Sequence, residues 1–79
     1  MADPLTRYWF VTENGQGIGV TAYSINDAQS LIDEYDQLCH RQVVEVIEDI
    51  DIRSLDQNHV VPNIGPVNFR GIWYPTLNL

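Results

Sequence analysis

Ser24-Ile25-Asn26-Asp27-Ala28-Gln29-Ser30-Leu31-Ile32-Asp33-Glu34-Tyr35-Asp36-Gln37-Leu38-Cys39-His40-Arg41 is the stretch on which the fold turns. A serine followed three residues later by an acid is a helix-start pattern: the hydroxyl caps a backbone N–H and the carboxylate returns the contact. Ile25, Ala28, Leu31, Ile32, Tyr35, Leu38 and Cys39 then recur at spacings of three and four, which makes one apolar stripe fit to lie on a sheet. Asp27, Asp33, Glu34 and Asp36 take the solvated side. Asp27 near the start and His40 and Arg41 near the end suit the helix dipole.

Toward the N-terminus, Arg7 to Glu13 is rich in aromatic and β-branched residues and reads as a strand. Tyr8, Phe10 and Thr12 face one side, and Arg7, Trp9, Val11 and Glu13 the other. Large apolar groups on both sides predict a strand covered on both faces for part of its length. Asn14-Gly15 signals a hairpin turn, with Gln16 and Gly17 allowing a longer loop or a bulge. Ile18 to Tyr23 is the returning strand, with Ile18, Val20 and Ala22 toward the core. Gly15, Gly17 and Gly19 imitate a phosphate loop only superficially. There is no lysine, and a strand follows where a helix N-terminus should stand, so they read as hairpin geometry.

Toward the C-terminus, Val43 to Ile52 reads as a third strand. Val44, Val46, Ile50 and Ile52 share one parity, and Asp49 and Asp51 point together to the other face. Glu48 breaks the pattern, because either it stands at the exit from the core or a bulge shifts the register around it. Beyond Ile52 no period survives. Arg53 to Asp56 suits a single helical turn, Val60 and Val61 a short edge pairing, and Pro62 to Pro66 a rigid loop. Asn68 to Tyr74 has the composition of a last strand, with Phe69 and Trp73 on one parity, and Pro75 ends it.

The order is strand, strand, helix, strand, irregular segment, strand. It predicts a single α+β domain over residues 7–79 behind a mobile lead, Met1 to Thr6. The succession resembles the ubiquitin-like β-grasp fold. That resemblance implies a mixed sheet on one helix, with the first and third strands adjacent and parallel through a right-handed crossover; an α+β sandwich with another strand order stays open. Arg7-Tyr8-Trp9-Phe10, Gly19-Val20-Thr21-Ala22-Tyr23, Val46-Ile47-Glu48-Asp49-Ile50-Asp51, the Leu55 to Gly65 segment and Arg70-Gly71-Ile72-Trp73-Tyr74-Pro75 together resemble a family of short, uncharacterised bacterial proteins. The resemblance implies a bacterial or phage origin and carries over no activity and no catalytic residue.

With 79 residues there is room for one modest core, and 44% hydrophobic against 19% charged residues is the balance of a folded domain. A net charge of −7, with four arginines and no lysine, opposes direct nucleic-acid binding and suits a basic protein partner. The same acids also keep a small protein soluble. The lone Cys39 excludes an intramolecular disulfide and points to a reducing, cytoplasmic home. Neither a basic, apolar leader nor an apolar run of membrane-spanning length occurs, so no membrane role is expected.

Cys39 and His40, with His59 as a third member, lack the paired spacing of a zinc site, and Cys39 sits on the apolar stripe where a small thiol is ordinary packing. Glu45, Glu48, Asp49, Asp51 and Asp56 form an acidic strand and exit without the glycine and close oxygen spacing of a calcium loop. They read as a solvated or partner-facing edge that also discourages aggregation. Asn58, His59 and Asn63, between Asp56 and Pro66, place polar groups on a segment stiffened by Pro62 and Pro66, which suits recognition; alternatively they bond to their own loop backbone. Arg70, Trp73 and Tyr74 include types favoured at interface centres, although one tryptophan in so small a domain is commonly core.

These features predict a non-enzymatic acidic interaction module, immunity- or antitoxin-like or an inhibitor of a basic partner, with no cofactor and no metal. Its binding residues are Glu45, Glu48, Asp49, Asp51, Asp56, Asn58, His59, Asn63, Arg70 and Trp73. The alternatives are a small metal-binding protein or enzyme using His59 with Asp56 and Asn58, completed across a homodimer interface, or a ubiquitin-like modifier. Thr76-Leu77-Asn78-Leu79 lacks the terminal diglycine of such modifiers.

Overall fold

The computed structural model describes residues 4–13, 15, 17–35, 38, 40–55, 57–58, 60–61, 64–65 and 67–75. Its elements are β1 (Thr6–Thr12), β2 (Gly17–Ala22), α1 (Ile25–Asp33), β3 (Val43–Glu48), a 3₁₀ turn at Ile52–Ser54, and β4 (Gly71–Tyr74). The class is α+β: a four-stranded antiparallel sheet, in the order β3-β1-β2-β4, with one helix packed against it. This arrangement is compatible with a grasp-like fold.

The hairpin and the helix start form as the sequence expects. β1 pairs β2 from Thr6↔Ala22 to Val11↔Gly17, so Thr6 belongs to the strand and not to the lead. Gly15 has φ 83° and donates its N–H to the Thr12 carbonyl at 3.0 Å; Asn14 and Gln16 lie outside the described residues. The Ser24 hydroxyl accepts the Asp27 N–H at 3.0 Å, and Asp27 accepts the Tyr23 N–H at 3.1 Å. The first bond satisfies a donor that the opening turn leaves without a helical partner, and the second ties the residue before the cap to the helix. α1 ends at Asp33, earlier than the apolar stripe suggests. Beyond it the chain continues through tighter bonds, Tyr35 N–H to the Ile32 carbonyl, Leu38 to Tyr35 and Arg41 to Leu38. Leu38 remains fully buried, and Cys39 lies outside the described residues.

The pairing of β1 with β3 corrects the parallel expectation. The two strands are adjacent but antiparallel, so the sheet is not mixed. The cause is geometric. β2 ends beside the start of β1, and one helix carries the chain back to the end of β1, where the Glu13 N–H donates to the Gln42 carbonyl at 3.0 Å. A strand starting there and lying next to β1 must run against it.

The two faces of the sheet are covered by different things. On the first, Tyr8, Phe10, Ile18, Val20 and Ala22 pack with Ala28 and Ile32 of the helix and with Leu38. On the second, Ile50, Leu55 and Trp73 form a separate buried cluster, flanked by Trp9, Ile52, Val60, Val61, Ile64, Val67 and Tyr74. The irregular segment is thus the second layer of the domain, and β1 is covered on both sides as its composition requires.

Among the described residues, three bonds hold that layer to the sheet. The Ile50 N–H donates to the Arg7 carbonyl at 3.1 Å, the Thr21 hydroxyl to the Val67 carbonyl at 2.7 Å, and the Gly65 N–H to the Trp73 carbonyl at 2.8 Å. The second face has room because Gly17 and Gly19 remove two side chains from it. The indole of Trp9 lies against Gly17 and that of Trp73 against Gly19. Their rings stack with centroids 5.9 Å apart, and Tyr74 adjoins Trp9 at 5.6 Å. A register shift opposite Gly19 and Val20 bulges Trp73 out of the ladder, which puts consecutive residues Trp73 and Tyr74 on one face.

β4 begins at Gly71, later than expected, and Phe69 is exposed. β3 ends at Glu48, so Ile50 and Ile52 belong to the second layer and not to the third strand.

Candidate functional site

Two surfaces could carry recognition: the free edge of β3, and a cleft where β1, β2 and the second layer meet. β3 ends the sheet on one side, and among the described residues no strand pairs its outer edge. Glu45 and Glu48 are exposed on it, beside Val44 at 59% and Ile47 at 37% exposure. Register explains this mixture. Glu45 lies opposite Val11 while Val43 lies opposite Thr12, so Val44 is the extra residue of a bulge. Glu45 and Ile47 therefore share the second face, whereas Glu48 stands on the helix face opposite Tyr8, as the last residue of the strand. Glu48 is thus out of pattern because it stands at the exit from the core; the bulge lies earlier, at Val44, and leaves Glu48 on the face of Val46.

Asp49 and Asp51 do not share a strand face, because the strand has ended. Asp49 turns the chain with φ 54°, a left-handed conformation that aspartate tolerates better than most residues. Asp51 caps the 3₁₀ turn. It accepts the Arg53 N–H at 2.9 Å, and its other carboxylate oxygen takes a guanidinium hydrogen of Arg53, also at 2.9 Å. The Arg53 side chain, then its backbone N–H, hold the Asp51 carboxyl down at about 2. The charges of Arg53 and Arg7 act in the same direction, and partial desolvation opposes them.

Arg70, expected at an interface, is engaged within the fold. Its Nε donates to Asp27 at 2.9 Å and a second guanidinium nitrogen donates to the other oxygen, clamping the approach to β4 onto the start of α1. That guanidinium, followed by the Tyr23 N–H, holds the Asp27 carboxyl at about 2. Trp73 is 1% exposed and sits inside the second cluster.

The two depressed carboxyls fix a pH dependence. Both lie below the ordinary value of 3.8, so the unfolded chain takes up their protons first as the pH falls. Their contribution to stability is complete above that value and is lost between about 4 and 2. Carboxyl titration by NMR should place both midpoints near 2, and Asp27→Asn or Asp51→Asn should flatten part of the acid limb in circular-dichroism unfolding curves.

Within the described part of the loop, polar side chains serve their own backbone. The Gln57 amide donates to the carbonyls of Ile52, Arg53 and Leu55 at 3.3, 3.0 and 2.8 Å, while Asn58 is exposed in the adjoining turn. Asp56, His59 and Asn63 lie outside the described residues. The apolar members of the same segment, Leu55, Val60, Val61 and Ile64, pack into the second layer.

The cleft was not visible as a site in the sequence. It has a volume of about 230 Å³ and is lined by Leu5, Arg7, Thr21, Asp49, Val67 and Asn68. Arg7 and Thr21 are cross-strand partners on the second face, and the Ile50–Arg7 backbone bond brings Asp49 alongside. Among the described residues, neither Arg7 nor Asp49 makes a side-chain hydrogen bond or an ion pair. The available signal was a cation at the start of a strand, on the parity opposite its core positions.

Among the described residues no three of His, Cys, Asp and Glu gather to hold a metal ion, and no helix is long and apolar enough to cross a membrane. Comparison with known proteins returns no family model, no curated protein and no solved structure that matches this chain.

Proposed function

We propose that this protein is a non-enzymatic acidic interaction module that receives an extended segment of a basic partner along the outer edge of β3. The observation that carries this reading is an edge strand whose exposed residues alternate in character: Val44, Glu45, Ile47 and Glu48. An edge offers a row of backbone donors and acceptors to an incoming strand, and the side chains on either face select it. Here the selection favours lysine or arginine against Glu45 and Glu48, with aliphatic residues against Val44 and Ile47. The net charge of −7 steers such a partner toward the surface. Asp49 and Asp51 extend the negative surface beyond the end of the strand, and Asp56, Asn58, His59 and Asn63 follow them in the chain.

Acids on an edge also keep copies of a protein from pairing with one another, since like charges directly opposed across strands are destabilising. The two roles agree, because the edge refuses its own kind and accepts a basic strand. A bacterial or phage origin, with an immunity- or antitoxin-like role against a basic protein in a reducing cytoplasm, fits the size, the charge and the single cysteine.

A synthetic peptide with the repeat lysine-valine-threonine-lysine-valine, which sets a lysine against each of Glu45 and Glu48 and a valine against each of Val44 and Ile47, titrated against the labelled protein, is expected to shift backbone amides along Val43–Glu48. The shifts should weaken steeply with salt. Glu45→Lys/Glu48→Lys should abolish the response, and an N-methylated peptide, unable to donate to the edge, should bind about tenfold more weakly or worse. Equal binding of a glutamate-valine peptide, or shifts spread without regard to β3, would refute the reading.

A further inference from the structure

We propose that the cleft between β1, β2 and the second layer binds a free α-amino acid with an aliphatic side chain, its carboxylate on Arg7 and its ammonium on Asp49. The first ground is the pair of charges. Arg7 and Asp49 line one cavity and yet are not joined to each other, nor, among the described residues, to any other side chain by a hydrogen bond or ion pair. Arg53 is bonded to Asp51 and Arg70 to Asp27, whereas Arg7 acts on Asp51 only through space, so among the described residues no side chain takes up its guanidinium hydrogens. A guanidinium offers the planar fork that a carboxylate fits, and a carboxylate accepts from an ammonium.

The second ground is the field in which the cleft sits. The chain carries −7 overall, so a bare anion approaches Arg7 against long-range repulsion and meets Asp49 beside it. A bare cation is favoured at a distance but meets Arg7 at the site. A zwitterion carries no net charge, escapes both penalties and satisfies both groups at once.

Size and lining narrow the class. At about 230 Å³ the cavity falls below the roughly 300–1,000 Å³ common for drug-sized ligands, which suits a molecule as small as an amino acid. Leu5 and Val67 supply an apolar wall for an aliphatic side chain. Thr21 is fixed in place by its bond to the Val67 carbonyl, and the Asn68 amide remains at the rim as a further polar contact.

The test uses the full chain and L-valine as the probe in a two-dimensional amide NMR titration. Saturable shifts are expected at Arg7, Thr21, Asp49 and Asn68 at millimolar concentrations. N-acetylvaline, which lacks the ammonium, and valinamide, which lacks the carboxylate, should each bind about tenfold more weakly or worse. Asp49→Asn should erase the preference for valine over N-acetylvaline, and Arg7→Gln the preference over valinamide. Each variant's fold is read from the same spectrum. Absence of saturable shifts with valine would overturn the assignment, and so would an equal response to acetate or N-acetylvaline in the unmodified protein. The comparison of ligands on the unmodified chain decides the matter even if a variant fails to fold.

Discussion

Trp73→Ala is expected to lower the free energy of unfolding by about 3–5 kcal/mol, the usual cost of truncating a buried tryptophan to alanine. For a chain of 79 residues the whole stability is on the order of 4–12 kcal/mol. The change therefore removes a large part of it and should lower the thermal midpoint by more than about 12 °C. Trp73 is 1% exposed, stacks on Trp9 and fills the space above Gly19. One feature pulls the value toward the lower end of the range: its indole N–H is buried without a hydrogen-bond partner. An unmet donor of that kind carries a penalty of about 1–3 kcal/mol that truncation also removes. Trp73→Phe keeps much of the ring and discards the donor, so it should cost markedly less than alanine. Urea unfolding followed by far-ultraviolet circular dichroism measures both, and equal losses for the two variants would contradict this account.

Gly19→Ala is expected to destabilise by about 2 kcal/mol, although in an open strand position the same change would help. Replacing glycine reduces the freedom of the unfolded chain and contributes about 0.4–1 kcal/mol in favour of folding. Overpacking a filled site costs about 1–3 kcal/mol or more. At Gly19 the second effect wins, because an added Cβ would lie deep inside the van der Waals radius of the Trp73 ring, and that ring is enclosed on all sides. Gly17→Ala makes a similar overlap with the ring of Trp9, which is only half-buried and has room to swing outward, so its cost should be smaller. The cause can be isolated in a double-mutant cycle. Combined with Trp73→Leu, Gly19→Ala should be close to neutral, and full additivity would show that the Trp73 ring is not what the Cβ meets.

These two positions mark where the sequence could and could not be read. The order of elements, the hairpin, the serine-capped helix and its apolar face follow from short-range patterns, in which each residue is judged against neighbours three or four positions away. The large residues on both sides of β1 even signal that both of its faces are covered. What covers the second face is not visible in the same way. Leu55, Val60, Val61 and Ile64 have no common period because they pack from an irregular chain, and only contacts distant in sequence make them a layer.

Gly17 and Gly19 read as turn chemistry because they follow Asn14-Gly15. Their spacing of two on a strand, in a chain with two tryptophans elsewhere, was the clue to a pair of ring seats. The direction of β3 depends on where α1 delivers the chain, which no local preference encodes. The bulge at Val44 removes that residue from the parity it shares with Val46 in the sequence pattern, and Ile50 and Ile52 looked like strand residues because their parity runs on past the turn at Asp49 that ends β3. The candidate sites divide along the same line. Glu45, Glu48, Asp49 and Asp51 could be named from composition, whereas the cleft depends on Arg7 and Asp49 meeting across 42 positions of sequence, from 7 to 49.

The stacking of Trp9 on Trp73 places every indole of the molecule on one side of the sheet. Indole fluorescence therefore reports on the irregular layer alone, while the helical side is visible mainly through the far-ultraviolet signal of its backbone. The chain thus carries separate optical labels for its two halves, and the overlap or separation of the two melting curves measures whether a sheet with unlike coverings comes apart as one cooperative unit.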